Sequence, residues 1–199
     1  MNYRLAPEWP FSTGLDDCVA AYRWVLEQGE TLGADTGRIV FAGDSSGSNF
    51  AATAALRARD AGLPLPTAVV MLGPVCDFNF ERYDSFNRLA PKGIVYDAAF
   101  AGFMRGAYVR YEDRSDPHVS PIHVNLRGFP PTILVGTADP IVDSARAFAR
   151  KLREAGNEGV ELFVPGRMPH GFYFFPRLFR EEEEAYDAVE KFLQKHLRR

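Results

Sequence analysis

The sequence predicts an α/β fold, a mostly parallel β-sheet with helices on both faces. Three observations predict it. Helix-period segments alternate with short β-rich runs along most of the chain. Successive strands are separated by single helices, which implies parallel pairing through right-handed crossovers. At 199 residues, with 46% hydrophobic and 25% charged residues, the chain has the length and composition of one soluble globular domain with a sizeable core. That balance excludes disorder, collagen-like repeats and a disulfide-dense scaffold as the main state.

The elements follow in order. Leu15, Cys18, Val19, Tyr22, Val25 and Leu26 lie on one face of a helix of period 3.6. Arg38–Ala42 is a β-rich run of the kind buried on both faces of a parallel sheet. After Gly43-Asp44-Ser45-Ser46-Gly47, the alanine-rich stretch from Phe50 to Ala61 predicts a helix, which Gly62 to Pro66 breaks. Ala68 to Leu72 is a second buried strand. Residues 77–130 leave this rhythm: they are rich in aromatics, have no obvious strand, and carry a helix over Ala98 to Tyr108. We read them as an excursion between two strands. Alternation resumes with a strand over Thr132 to Val135, a helix over Ser144 to Ala155 and a strand over Val160 to Val164. A last helix, Glu182 to Leu197, places Tyr186, Val189, Phe192, Leu193 and Leu197 on one face. The run Glu181 to Glu184 reads as a solvated helix start, where negative charge suits the dipole.

The net charge is −3, and no Lys/Arg cluster is dense enough to follow a phosphate backbone, so nucleic acid is not an expected partner. Cys18 and Cys76 lie far apart in apolar stretches, as buried thiols of a reducing cytoplasm do. No window approaches the roughly 20 apolar residues of a membrane span, and Met1 to Ser12 lacks the apolar run of a signal peptide. The expected location is cytoplasmic.

Gly43-x-Ser45-x-Gly47 is a weak pattern alone, but here a buried strand enters it and a helix leaves it. That is the context of a nucleophile elbow, a turn tight enough to demand small residues flanking the serine. It would hold the Ser45 hydroxyl above the strand end, with the Ser46 N–H facing the same space from the helix start. A serine needs a base to act as a nucleophile, and the base needs an orienting acid. Asp139 follows the strand ending at Val135, and His170 follows the strand ending at Val164. Both therefore fall at the carboxyl edge of the sheet, where open α/β sheets bind ligands. His118 and His123 precede Asp139, the wrong chain order for this arrangement, and His196 sits in a last helix turn where a cation suits the dipole. Asp143, the competing acid, would lie in a first helix turn as a cap.

With these motifs in hand, the sequence resembles the hormone-sensitive-lipase-like α/β-hydrolase esterases (bacterial family IV). The matching segments are Tyr3-Arg4-Leu5-Ala6-Pro7-Glu8, Gly43 to Gly47 with Asn49, Asp116-Pro117-His118-Val119-Ser120-Pro121, Pro130-Pro131, Asp139-Pro140 and His170-Gly171-Phe172. Ser48 and the run Ile141 to Ser144 depart from the family pattern without touching the three candidate residues. The resemblance implies hydrolysis of short or medium acyl esters, with no cofactor or metal, by Ser45 as nucleophile, His170 as general base and Asp139 as its orienter. It also implies a homodimer, since members often pair through the last strand and helix.

Members carry a His-Gly-Gly-Gly segment well ahead of the Tyr-Arg-Leu-Ala-Pro-Glu motif, and its N–H groups form most of the oxyanion hole. This sequence starts two residues before that motif. The expectation is an N-terminally shortened hydrolase lacking the opening strands and cap helices, with weak or no activity. Its first complete strand would lie at or near a sheet edge. Phe78, Phe80, Phe100, Phe103 and Met104 are available for an acyl pocket near the strand end that bears Ser45; the same residues would equally fill core beneath a long connection. Two other readings stay open: a serine peptidase or amidase of the same fold, and a non-catalytic or inactive hydrolase fragment.

Overall fold

The computed structural model describes residues 1–93 and 96–198. Its helices are α1 (Thr13–Gln28), α2 (Ser46–Asp60), α3 (Asp84–Leu89), α4 (Ala98–Tyr108), α5 (Val142–Glu154) and α6 (Arg180–Leu197). Its strands are β1 (Val40–Asp44), β2 (Ala68–Leu72), β3 (Thr132–Val135) and β4 (Val160–Phe163). They form one sheet in the order β1-β2-β3-β4, parallel throughout.

Period-two alternation divides the core between the two sheet faces. Val69, Met71 and Leu134 face the apolar sides of α2 and α5, where Ala52, Ala55, Leu56, Phe148 and Leu152 are buried. Ala68, Val70 and Ile133 face α6, whose Phe192 is fully buried. α1 lies beside α2: Leu15 packs with Phe50 and Ala54, and Tyr22 meets Phe41 edge-on at 4.7 Å.

Register explains where the elements begin. β1 pairs Val40 with Ala68 and Asp44 with Leu72, so it runs two residues further than the apolar run Arg38–Ala42 predicts. β1 is also not buried on both faces. As an outer strand it is half-exposed, with Ala42 open, whereas every residue of β3 is buried. Helix α2 starts at Ser46 rather than Phe50, because the turn after β1 consumes one residue. Glu182 departs from the solvated helix start as well. It is 6% exposed and accepts the Arg177 N–H at 3.3 Å.

The segment between β2 and β3 holds α3, α4 and several 3-10 turns, with no strand among its described residues. It builds a second apolar cluster over the carboxyl edge, including Phe78, Phe80, Phe86, Tyr96 and Ala101. Asp97 caps α4 by accepting the Phe100 N–H at 2.7 Å. Arg105, with its guanidinium on both Glu81 oxygens, ties α4 to the turn before α3. Among the described residues, no helix is long and apolar enough to cross a membrane.

Candidate active site

Ser45 is the single residue between β1 and α2, and it adopts φ 53° and ψ −115°. A non-glycine residue in the left-handed region is strained, and such strain persists only where the surroundings fix it. Here the Ser45 N–H donates to the Leu72 carbonyl at 2.8 Å, and its own carbonyl accepts from Ser48 N–H at 3.1 Å. Gly43 is required by contact, since a Cβ there would stand 2.0 Å from the Gly47 carbonyl oxygen. Gly47 is not, because a Cβ there would meet nothing within 4 Å. The expectation that both glycines answer to crowding holds for one of them. Ser46 begins α2, so its N–H is among those a helix leaves without an internal partner.

The candidate histidine and acid converge on this serine from β4 and β3. His170 Nε2 is 2.9 Å from Ser45 Oγ, and His170 Nδ1 is 2.6 Å from Asp139 Oδ2. Asp139 is 5% exposed. It is satisfied by the Ile141 N–H on Oδ1 at 3.0 Å, by the Thr137 hydroxyl and by His170. The Tyr96 ring lies 5.3 Å from the imidazole and walls it off from the α4 side. Gly73, at the end of β2, clears the path of the histidine loop: a Cβ there would stand 2.9 Å from His170 Cε1. The competing residues lie elsewhere. Asp143 accepts from Ser85 N–H and Arg146 in the first turn of α5, His123 pairs with Asp77, and His118 pairs with Asp60.

A cavity of about 280 Å³, lined mainly by apolar side chains, opens beside Ser45 and Ser46. Phe78, Phe80, Phe100, Phe103 and Met104 all line it. The two readings of these residues divide between them. Phe78 and Phe80 are buried, only 7% and 3% exposed, and belong to the apolar cluster, while Phe100, Phe103 and Met104 stand exposed at the rim. Sequence reasoning missed Tyr96, Thr137 and Tyr3 as parts of this site. Tyr3 lines the cavity together with Ser46, and its ring meets Phe50 edge-on at 4.9 Å. Asn49, noted only as part of a motif, donates both amide hydrogens, to the Val75 and Val119 carbonyls at 2.9 and 2.8 Å. It thereby fastens α2 to the segment Asp116–Pro121, whose Ser120 hydroxyl accepts the Phe78 N–H. Among the described residues, no three His, Cys, Asp or Glu side chains gather where they could hold a metal ion.

Residues 1–174 match a protein family described as having the alpha/beta hydrolase fold. Over 200 residues the chain is 34% identical to an acetyl-hydrolase of Streptomyces hygroscopicus, covering 98% of this chain and 63% of that protein. It is also 34% identical to an ethyl acetate hydrolase of Pseudomonas putida, covering 99% of this chain and 62% of that one. A crystal structure of a hormone-sensitive lipase from a metagenome library superposes with a TM-score of 0.88 at 32% identity, over 98% of this chain and 65% of the other. The chain thus spans less than two thirds of the length of each of these relatives. With the fold and the resemblance to hormone-sensitive-lipase-like esterases matched in this way, the chain belongs to the α/β-hydrolase fold family.

Proposed function

We propose that the chain is a carboxylic ester hydrolase acting on short to medium acyl esters through Ser45, His170 and Asp139. The observation that carries the reading is the unbroken hydrogen-bonded line Ser45 Oγ–His170–Asp139 at the mouth of an apolar cavity. Ser45 Oγ attacks the ester carbonyl carbon as its proton passes to His170 Nε2. The carbonyl oxygen becomes an oxyanion facing the Ser46 N–H at the start of α2. Collapse breaks the bond to the alcohol oxygen, which takes the proton from Nε2 and leaves. Water, deprotonated by the same nitrogen, then hydrolyses the acyl-serine. Asp139 holds the ring through Nδ1–H, so that Nε2 presents its lone pair to the serine.

The acyl chain is assigned to the cavity, with Phe78 and Phe80 as wall and Phe100, Phe103 and Met104 as rim. The reading draws one oxyanion donor from this chain, Ser46 N–H. The test is hydrolysis of p-nitrophenyl esters from acetate to dodecanoate by the purified protein and by Ser45→Ala. Hydrolysis that falls to the buffer rate in Ser45→Ala, strongest at the shorter chains, is expected. Equal rates for the two proteins would overturn the reading.

A further inference from the structure

The serine and the histidine are delivered from opposite edges of the sheet. Ser45 directly follows the outer strand β1, which β2 holds on one side only, and His170 lies in the loop after the other outer strand, β4. Three interstrand steps separate these edges, about 14 Å. The 2.9 Å contact between Ser45 and His170 therefore depends on how the β4 loop is held as it crosses the sheet edge. A misplacement of about 1 Å in such a contact can cost on the order of 10² in rate.

A second contact crosses the same gap. Tyr173, three residues beyond His170, is 1% exposed, and its phenol O–H donates to Asp44 Oδ1 on the residue preceding Ser45. At its other end the Tyr173 carbonyl accepts the Tyr186 O–H of α6 at 2.8 Å. Both the phenol and the His170 ring occupy the space left by Gly73: a Cβ there would stand 2.5 Å from the Tyr173 oxygen. Burial and the neighbouring Asp44 carboxylate hold the phenol proton well above its ordinary range, so it stays a donor. We propose that Tyr173 is a positioning residue, a strut that ties the histidine loop to the nucleophile turn through Asp44 and so sets the Ser45–His170 distance. The inference rests on the proposed roles of Ser45 and His170.

The test follows single-turnover phosphonylation of Ser45 by a p-nitrophenyl phosphonate, read by released nitrophenol and intact mass. Tyr173→Phe keeps the buried ring and removes the strut, and a fall in rate constant of about tenfold is expected. Asp44→Ala should fall equally, and the double variant should be no slower than either single, as expected of two groups acting through one contact. Asp44→Asn, whose amide oxygen still accepts the phenol, should restore the rate to within about threefold of the unsubstituted protein. Tyr186→Phe, which loosens the loop from α6 without touching the strut, serves as the structural control and should stay within about twofold.

Unchanged labelling in Tyr173→Phe, multiplying losses in the double variant, or no rescue by Asn would each overturn the strut. If Tyr173→Phe does not fold, the Asp44 pair carries the same decision. If the unsubstituted protein is not labelled at all, the proposed function fails and the strut is read separately from the His170 imidazole nitrogen resonances. A shifted Nε2 signal in Tyr173→Phe supports the strut, and an unmoved one overturns it.

Discussion

At the scale of single residues, the two glycines around Ser45 look alike in sequence and differ in space. A methyl group at Gly43 would meet the Gly47 backbone at 2.0 and 2.2 Å, and backbone cannot rotate aside. Gly43→Ala should therefore lower stability by about 3 kcal/mol or more, near the upper end for overpacking, and should displace the Ser45 turn. Gly47 lies in the first turn of α2 with open space around it. Gly47→Ala should raise stability by roughly 0.5–1 kcal/mol, through helix propensity and reduced freedom of the unfolded chain. Urea unfolding of both variants checks this, and a destabilised Gly47→Ala would contradict the open space. The same contrast marks what a sequence discloses about a site. Ser45, Asp139 and His170 were legible because each follows a strand and carries chemistry that needs the other two. Tyr96, Thr137 and Tyr173 were not, since a buried aromatic or hydroxyl reads as core until its ring is seen against the imidazole or its hydroxyl on Asp139 or Asp44.

At the scale of elements, the long amphipathic helices and the buried strands β2 and β3 were legible from periodicity and β-branched content. Failures concentrate where tertiary contacts override local preference. Gly43 and Asp44 are poor strand formers drawn into β1 by pairing with Met71 and Leu72. Gly47, Ser48 and Asn49 are poor helix formers fixed in α2 by the turn at Ser45 and by the Asn49 bonds to two carbonyls. The six residues of α3 are too few to show a period. The opening segment has no regular structure of its own; Tyr3 and Phe11 pack on Phe50 and Tyr108, the Phe11 N–H donates to the Tyr108 carbonyl, and a charge clamp adds to these. Arg4 donates its N–H and its guanidinium to Asp17 of α1, at 2.6 to 3.2 Å, and stacks over Trp9 at 5.2 Å. That hydrogen bonding holds the Asp17 carboxyl below its ordinary 3.8, down to about 2. Because the carboxyl titrates lower when folded, the clamp contributes above the ordinary value and is lost as pH falls through about 2. With Trp24→Phe as background, Trp9 emission should shift between about pH 4 and 2. The transition should be absent in Asp17→Asn, and its persistence there would assign it to another group.

At the scale of the whole molecule, the sheet has two outer strands that differ in protection. β4 carries Glu161, whose carboxylate pairs with Lys195 of α6 at 3.2 Å, and a charge on an outer strand discourages pairing with another chain. β1 reads Val-Phe-Ala-Gly before its first charge. In a parallel pair, alternate residues point both peptide groups the same way. Ile39 accepts from Thr67 and Ser45 donates to Leu72, so Val40, Ala42 and Asp44 turn theirs away from β2. Apolar grooves flank this edge on both sides, one between Tyr3, Cys18, Phe41 and Phe50, the other along Val189, Leu193 and Leu197 of α6. An uncharged outer strand between two apolar grooves is a template for strand addition, so the 199-residue chain should self-associate through β1 as concentration rises. Ala42→Lys places a charge at the exposed centre of that strand, away from the buried faces, and should return the protein toward monomer in light scattering with little change in melting temperature. Association that survives Ala42→Lys but yields to Leu197→Lys would move the contact to α6, the site the esterase resemblance implies. A monomer at every concentration would show that neither edge recruits a second copy.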